Sequence, residues 1–307
     1  MAQLIKTQAT QVARQQKPID MLKVMIDAPT VQAQFKNALG DHKDAFVASL
    51  IDLFTGDKSL QRCEPKLIIS EALRAATLRL PLNKALGFAY IVVYNTTEKN
   101  ADGSSVRVAK PTFIPGYKGY IQLAMRTGQY RTINADYVYE GELRKVNKLS
   151  GEIAFDGEKK SDKIVGYFCY FELLNGFSKT LYVPLEEMAA YAKRYSPSIN
   201  KDTTINQLID KANDGIVSKK VGWEGNFNDM ALKTVIRRLL SKYGFLSVEM
   251  QNAISKDVDL DNSETDRNDM ISEEANKKVI DIDSVEVDTE TGEIKNADKA
   301  DEDMPNY

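Results

Sequence analysis

The residues best suited to bind or transform a ligand fall in one stretch without acids. Residues 116–131 read GYKGYIQLAMRTGQYR and set Lys118, Arg126 and Arg131 among Tyr117, Tyr120 and Tyr130. Widened to 103–135, the stretch gains Arg107, Lys110 and Phe113 and still contains no Asp or Glu. Ammonium and guanidinium groups replace the counterions of a phosphate backbone, and aromatic faces stack on unpaired bases, so this mixture suits a single-stranded nucleic acid. The alternative is a half-buried hairpin and helix whose tyrosines pack inward and whose lysines are merely solvated.

The elements that must position these residues are legible from spacing. GFAYIVVY (87–94) and SVRVAKPTFI (105–114) alternate as strands and predict a hairpin, with Pro111 moving the second strand to an edge. Lys84 precedes the hairpin and joins the candidate cations. After Pro115 and Gly116 a helix is predicted to about Thr127, stopped at Gly128. On it Lys118, Gln122 and Arg126 recur every four residues and share a face. Upstream, Pro29 suits the start of VQAQFKNAL, Asp41 suits a cap for HKDAFVASLIDLF, and Pro65 opens KLIISEALRAATLRL. In this last helix Leu67, Ile68, Ala72, Ala75 and Leu78 form an apolar stripe that leaves Glu71 and Arg74 outside it.

Downstream, YVYEG, GEIAFD, KIVGYFCYFELL and FSKTLYVP predict strands, the last two joined at Asn175-Gly176. LEEMAAYAKRYS predicts a helix after Pro184, and 199–220 has no assignment. NFNDMALKTVIRRLLSKYGFLSVEM ends the body. On a helical wheel its Leu232, Val235, Ile236 and Leu239 fall on one side, while Lys233, Arg237, Arg238 and Lys242 form a basic arc on the other. That arc has one sign of charge, which predicts an anion-facing surface. The expected class is therefore α+β: a helical N-terminal part, then a hairpin and antiparallel sheet packed with helices.

The 307 residues carry a net charge of −3 that hides an asymmetry: residues 251–307 hold a net −12 and residues 1–250 a net +9. The C-terminal segment has Tyr307 as its one aromatic residue, a composition too poor in apolar side chains to offset the entropy of ordering. Two units are expected: a basic folded body at 1–250, and an acidic, largely disordered tail at 251–307. No apolar run reaches membrane-spanning length, and the polar N-terminus MAQLIKTQATQVARQQKPID lacks a signal-peptide core, which predicts an intracellular protein. Cys63 and Cys169, the two cysteines, predict reduced core residues.

Several chemistries lose their residues. No Gly-Lys dipeptide exists, so no P-loop can form, and His42 is the single histidine. Asp257, Asp259 and Asp261 have calcium-loop spacing, but Asn262 and Asn268 stand where Gly and Glu are needed, so they count as acidic tail. Gly116-Tyr117-Lys118-Gly119 matches the GXXG clamp of KH domains, a cheap pattern. The body's carboxylates, Glu140, Glu142 and Asp156 among them, show no metal-binding pattern. No catalytic residue is assigned. A metal-dependent nuclease and a KH-like RNA-binding module stand as the alternatives.

Three segments together resemble the RecT family of phage single-strand DNA annealing proteins: EALRAATLRLPLNKALGFAYIVVYN, PTFIPGYKGYIQLAMRTGQYRTINADYVYEGE and WEGNFNDMALKTVIRRLLSKYG. The resemblance implies an annealing core remotely like that of Rad52, assembly into rings or helical filaments, and ATP-independent pairing of complementary strands in phage homologous recombination. It implies no nucleotide cofactor, with magnesium entering only as an aid to DNA binding. The implied partners are single-stranded DNA and annealed duplex, a phage exonuclease, and the single-strand-binding protein of the bacterial host, in whose cytoplasm the protein would act. The family's basic positions fall on Lys118, Arg126, Lys233 and Arg237. Together with Lys84, Arg107, Lys110, Tyr117, Gln122 and Arg131 they make the expected DNA groove. The resemblance implies that 1–250 is the DNA-binding, annealing and oligomerisation domain and 251–307 the partner-binding tail, so a chain ended after residue 250 should still anneal naked oligonucleotides but bind partners less well.

Overall fold

The computed structural model describes residues 17–99, 104–147, 149–196, 199–218 and 220–261. Most of the expected acidic tail therefore lies outside the described residues.

Four helices come first: α1 (Pro18–Ile26), α2 (Pro29–Leu39), α3 (Lys43–Gly56) and α4 (Pro65–Thr77). Proline opens three of them, where its missing N–H would have had no partner and its fixed φ already suits a helix. Asp41 does not cap α3: it lies in a 3-10 turn at Gly40–His42, and α3 starts without a side-chain cap. The inward stripe of α4 is Ile68, Ile69, Ala72, Ala75 and Ala76, while Leu67 is partly exposed. Glu71, expected outside that stripe, is buried because its carboxylate accepts the Phe113 backbone N–H at 2.9 Å and a hydrogen bond from Arg74 at 3.1 Å.

That contact anchors a long antiparallel ribbon of β1 (Ala89–Lys99) and β2 (Ser105–Pro115), paired from Ala89 opposite Pro115 to Lys99 opposite Ser105. Helix α5 (Tyr117–Arg126) follows at once, and Gly128, at φ +67°, ends its turn as the sequence predicts. Next come β3 (Tyr130–Tyr139), a short pair β4 (Lys145–Val146) and β5 (Ile153–Ala154), then β6 (Ile164–Leu173) and β7 (Ser178–Pro184). The main sheet is antiparallel in the order β3-β6-β7, and Gly176 makes the β6–β7 turn at φ +86°.

Helices α6 (Leu185–Tyr195), α7 (Ile205–Asp214), α8 (Phe227–Tyr243) and α9 (Val248–Asp261) complete the fold. Helix α7 lies in the stretch left unassigned above, and a capping box of Thr204 and Gln207 starts it. Helix α8 packs against α5, α9 and all three strands of the main sheet, so nearly its whole circumference is covered. The final element breaks at Gly244, where an added Cβ would collide with the Tyr130 hydroxyl and with Leu240. The compact unit runs to Asp261, past the boundary expected near residue 250, because Met250, Ala253, Ile254 and Asp257 of α9 are all buried.

Two glycines bring α5 against the loop that precedes β1. The Gly116 N–H donates to the Phe88 carbonyl at 3.0 Å, and an added Cβ would collide with the Gly87 carbonyl at Gly116 or the Phe88 carbonyl at Gly119. The GXXG pattern thus has a packing cause. Gly119→Ala should destabilise the fold by about 1–3 kcal/mol, as forced overpacking does, with a lower urea midpoint as the readout.

Candidate nucleic-acid interface

Helix α5 presents the candidate surface. Tyr120, Leu123 and Ala124 are buried, Gln122 and Tyr117 are half-buried, and Lys118 and Arg126 are exposed. The Lys118 ammonium lies 5.8 Å from the Tyr117 ring centre. Near it stands Asp229 of α8, whose carboxyl is pushed up by burial and drawn partly back by the positive charge of Lys118. The phenols of Tyr90, Tyr117 and Tyr137 crowd the same carboxylate. Burial, chiefly, raises all three, Tyr137 to about 12, and the charge of Asp229 adds to each. Lys118 is therefore exposed beside Tyr117, with the charge of Asp229 close enough to be felt by it and by the three phenols.

The other candidates divide. Arg107 and Lys110 are exposed on β2, but an odd separation in a strand without register shifts places them on opposite faces of the ribbon. Arg131 is exposed and paired with Glu172 across the sheet at 2.7 Å. Arg126 uses its guanidinium to hold the end of α4, donating to the Leu78 carbonyl at 2.8 Å and the Arg79 carbonyl at 3.0 Å. Lys84 pairs with Asp57 at 2.7 Å. Burial is the largest single influence on the Asp57 carboxyl and raises its pKa, but hydrogen bonds from Lys84 and Ser59 together outweigh it and hold the group at about 2.

Lys233 and Arg237 do not extend an exposed groove. Both are 5% exposed, and both bond to Asp257 of α9, itself 2% exposed. The Lys233 ammonium reaches one carboxylate oxygen at 2.5 Å. The other oxygen accepts from Arg237 at 3.1 Å and from the Tyr120 hydroxyl at 2.9 Å. Arg237 also donates to the Tyr191 hydroxyl of α6 at 2.8 Å. The basic arc of α8 thus splits. Its middle is paired with Asp257 inside the protein, while Arg238 and Lys242 reach solvent, with Arg238 over the Tyr191 ring at 4.2 Å. Tyr120 is likewise a core residue and offers no face to a base.

Asp257 was missed in the sequence because it sits among the acids of a tail. The signal was present: Met250, Ala253, Ile254 and Asp257 follow the i, i+3, i+4, i+7 spacing of one buried helix face. The largest cavity among those resolved, about 700 Å³ and lined by Asn200, Asp210, Lys211 and Glu224, contains none of the candidate residues.

Helix α5, which has no acid and carries two exposed cations beside a half-buried tyrosine on an α+β scaffold, has a composition suited to an anionic chain. The chain belongs to the RecT family, whose model matches residues 44–279, and this is a family of single-strand annealing proteins of DNA recombination. It is 38% identical over 292 residues to the uncharacterized protein YqaK of Bacillus subtilis (strain 168), covering 92% of this chain and 90% of YqaK. It is 26% identical over 268 residues to Protein RecT of Escherichia coli (strain K12), covering 83% and 87% of the two chains. No helix among the described residues is long and apolar enough to cross a membrane.

Two outcomes follow for stability. Asp257→Ala, which strands two buried cations, should cost about 3–5 kcal/mol in urea denaturation, and ending the chain after residue 250 should be at least as damaging, whereas ending it after Asp261 should leave the midpoint unchanged. Because the folded-state pKa of Asp57 is below its unfolded value, its contribution is present above about pH 4 and disappears as pH falls toward 2. Asp57→Asn should flatten that part of a stability–pH curve.

Proposed function

We propose that this protein anneals complementary single strands of DNA without ATP, holding the backbone of the first strand against α5 in an oligomer. The observation that carries this reading is the exposure of Lys118 beside Tyr117, on a helix face shared with Gln122 and Arg126, in a segment without any acid. Two strands repel each other, and a row of cations lowers that repulsion by displacing condensed counterions, after which base pairing supplies the specificity. Contacts of this kind read phosphate rather than base edges, so binding is nearly independent of sequence and weakens steeply with salt. Tyr117, half-exposed beside Lys118, is the aromatic group placed to stack on a base or support a sugar.

Lys110, Arg107 and Arg131 supply further phosphate contacts in this reading. Their different faces suit strands that pass between neighbouring copies. A nuclease that exposes single strands and the host single-strand-binding protein are the partners this activity requires, upstream and in competition respectively. Membership of an annealing family supports the reading, as does the Escherichia coli relative named Protein RecT.

The test mixes purified protein with two complementary labelled oligonucleotides in low salt, with no nucleotide present. Accelerated duplex formation is expected, and shortened products in magnesium would favour a nuclease instead. Lys118→Glu should weaken binding of mixed-sequence and homopolymer strands by about the same factor. A loss confined to particular sequences would contradict a backbone contact.

A further inference from the structure

The end of α4 contains a residue in the wrong conformation for its type. Arg79 has φ +51° and is the only described residue other than glycine in the left-handed region. Its N–H bonds the Ala76 carbonyl at 2.9 Å, and the Leu80 N–H bonds the Ala75 carbonyl at 3.0 Å. This is the helix-ending arrangement whose left-handed position glycine ordinarily fills, because a Cβ there is strained. An arginine side chain is retained at a backbone position that disfavours it. Strain held in this way points to a use for the side chain.

The surroundings indicate the use. Arg79 and Arg126 line a cavity of about 430 Å³ where the C-terminal ends of α4 and α5 meet the start of α9, with Asn37, Thr127, Ser247 and Glu249 also on its wall. Arg126 is fixed by its two bonds to the Leu78 and Arg79 carbonyls, which neutralise the negative end of α4. The two guanidinium groups stay close although their charges repel, and burial first, then the Arg79 charge, push the Arg126 pKa down. The first turn of α9 brings its positive end to the same space, against the negative ends of α2 and α5, and Glu249 is the one acid on the wall. Glu249 is exposed on this wall, where hydrogen bonds from its own backbone N–H and from Ser247, and then the charge of Arg79, favour its ionised form.

We propose that this cavity is a phosphate subsite for the single strand, with Arg79 and Arg126 as its cations and Glu249 as the resident anion that the phosphate displaces. The inference rests on the reading of α5 as the strand-binding helix. Lys118 and Arg126 are eight residues apart, about 12 Å along an α-helix, so the subsite continues the path that starts at Lys118. Arg79 adds to the phosphate-binding set a residue from a different helix.

The experiment measures binding of a fluorescein-labelled oligo-dT strand by anisotropy across a salt series, with thermal melts alongside. Arg79→Gly relieves the backbone strain, so its melting temperature should equal or exceed that of the unmodified protein. Its affinity should nevertheless fall several-fold, with a log–log salt slope shallower by about 0.7, the share of one phosphate on a single strand. Glu249→Gln should bind more tightly, and Lys201→Gln, an exposed charge change outside the cavity, should leave affinity unaltered. An Arg79→Gly protein that melts normally and binds with unmodified affinity and slope overturns the subsite while leaving strand binding intact. Failure of the unmodified protein to bind the oligonucleotide overturns the annealing reading and the subsite together.

Discussion

One buried carboxylate decides how the second half of this protein is assembled. Asp257 of α9 receives Lys233 and Arg237 from α8 and the hydroxyl of Tyr120 from α5, and Arg237 reaches on to Tyr191 of α6. A charge buried without a partner is costly enough to unfold a domain of ordinary stability. The two cations can therefore sit inside the protein only while α9 is docked, and α9 docks where its carboxylate meets them. Because α8 in turn supports α5 and the main sheet, the placement of the candidate strand-binding helix depends on an acid far along the chain.

The same arrangement separates two kinds of basic residue that look alike in sequence. Lys233 and Arg237 are spent on assembly, and Arg126 is partly spent on closing α4. Lys110, Arg107 and Lys118 remain at the surface. An annealing protein needs cations that water can reach, because counterion displacement is the source of their affinity for a phosphate chain. Burial removes that role from a lysine however suggestive its spacing. Around Lys118 the carboxylate of Asp229 acts on the cation and on the neighbouring phenols, so the local field is mixed rather than uniformly positive.

Close backbone contacts set the orientation of α5 as firmly as its side chains do. Gly116 and Gly119 let the helix start against the carbonyls of Gly87 and Phe88, and the ribbon that carries Arg107 and Lys110 is fastened to α4 through Glu71. The result is a helix with its apolar face against α8 and its Lys118, Gln122 and Arg126 face turned outward, joined directly to a projecting two-stranded ribbon. Local physics accounts for the geometry of this surface.

Much of this was written in local sequence. Prolines at helix starts, the glycine after α5, the Asn175-Gly176 turn and the alternation of the strands depend on neighbours within a few residues, and the elements they mark formed there, whereas α7 and the first half of β3 went unassigned. The acid-free segment and its resemblance to RecT proteins were equally plain in the chain as written. Three things were not. The boundary near residue 250 followed from net charge, which cannot distinguish a solvated acid from one paired across the interior, and so Asp257 was counted with the tail. The basic arc of α8 looked like a surface because a helical wheel shows which residues share a side but not what that side faces. The left-handed Arg79 and the cavity beside it exist only once the ends of α4, α5 and α9 meet. Sequence alone determined the family and most of the elements; tertiary structure decided which charges are buried and which remain in water, because that depends on partners distant along the chain.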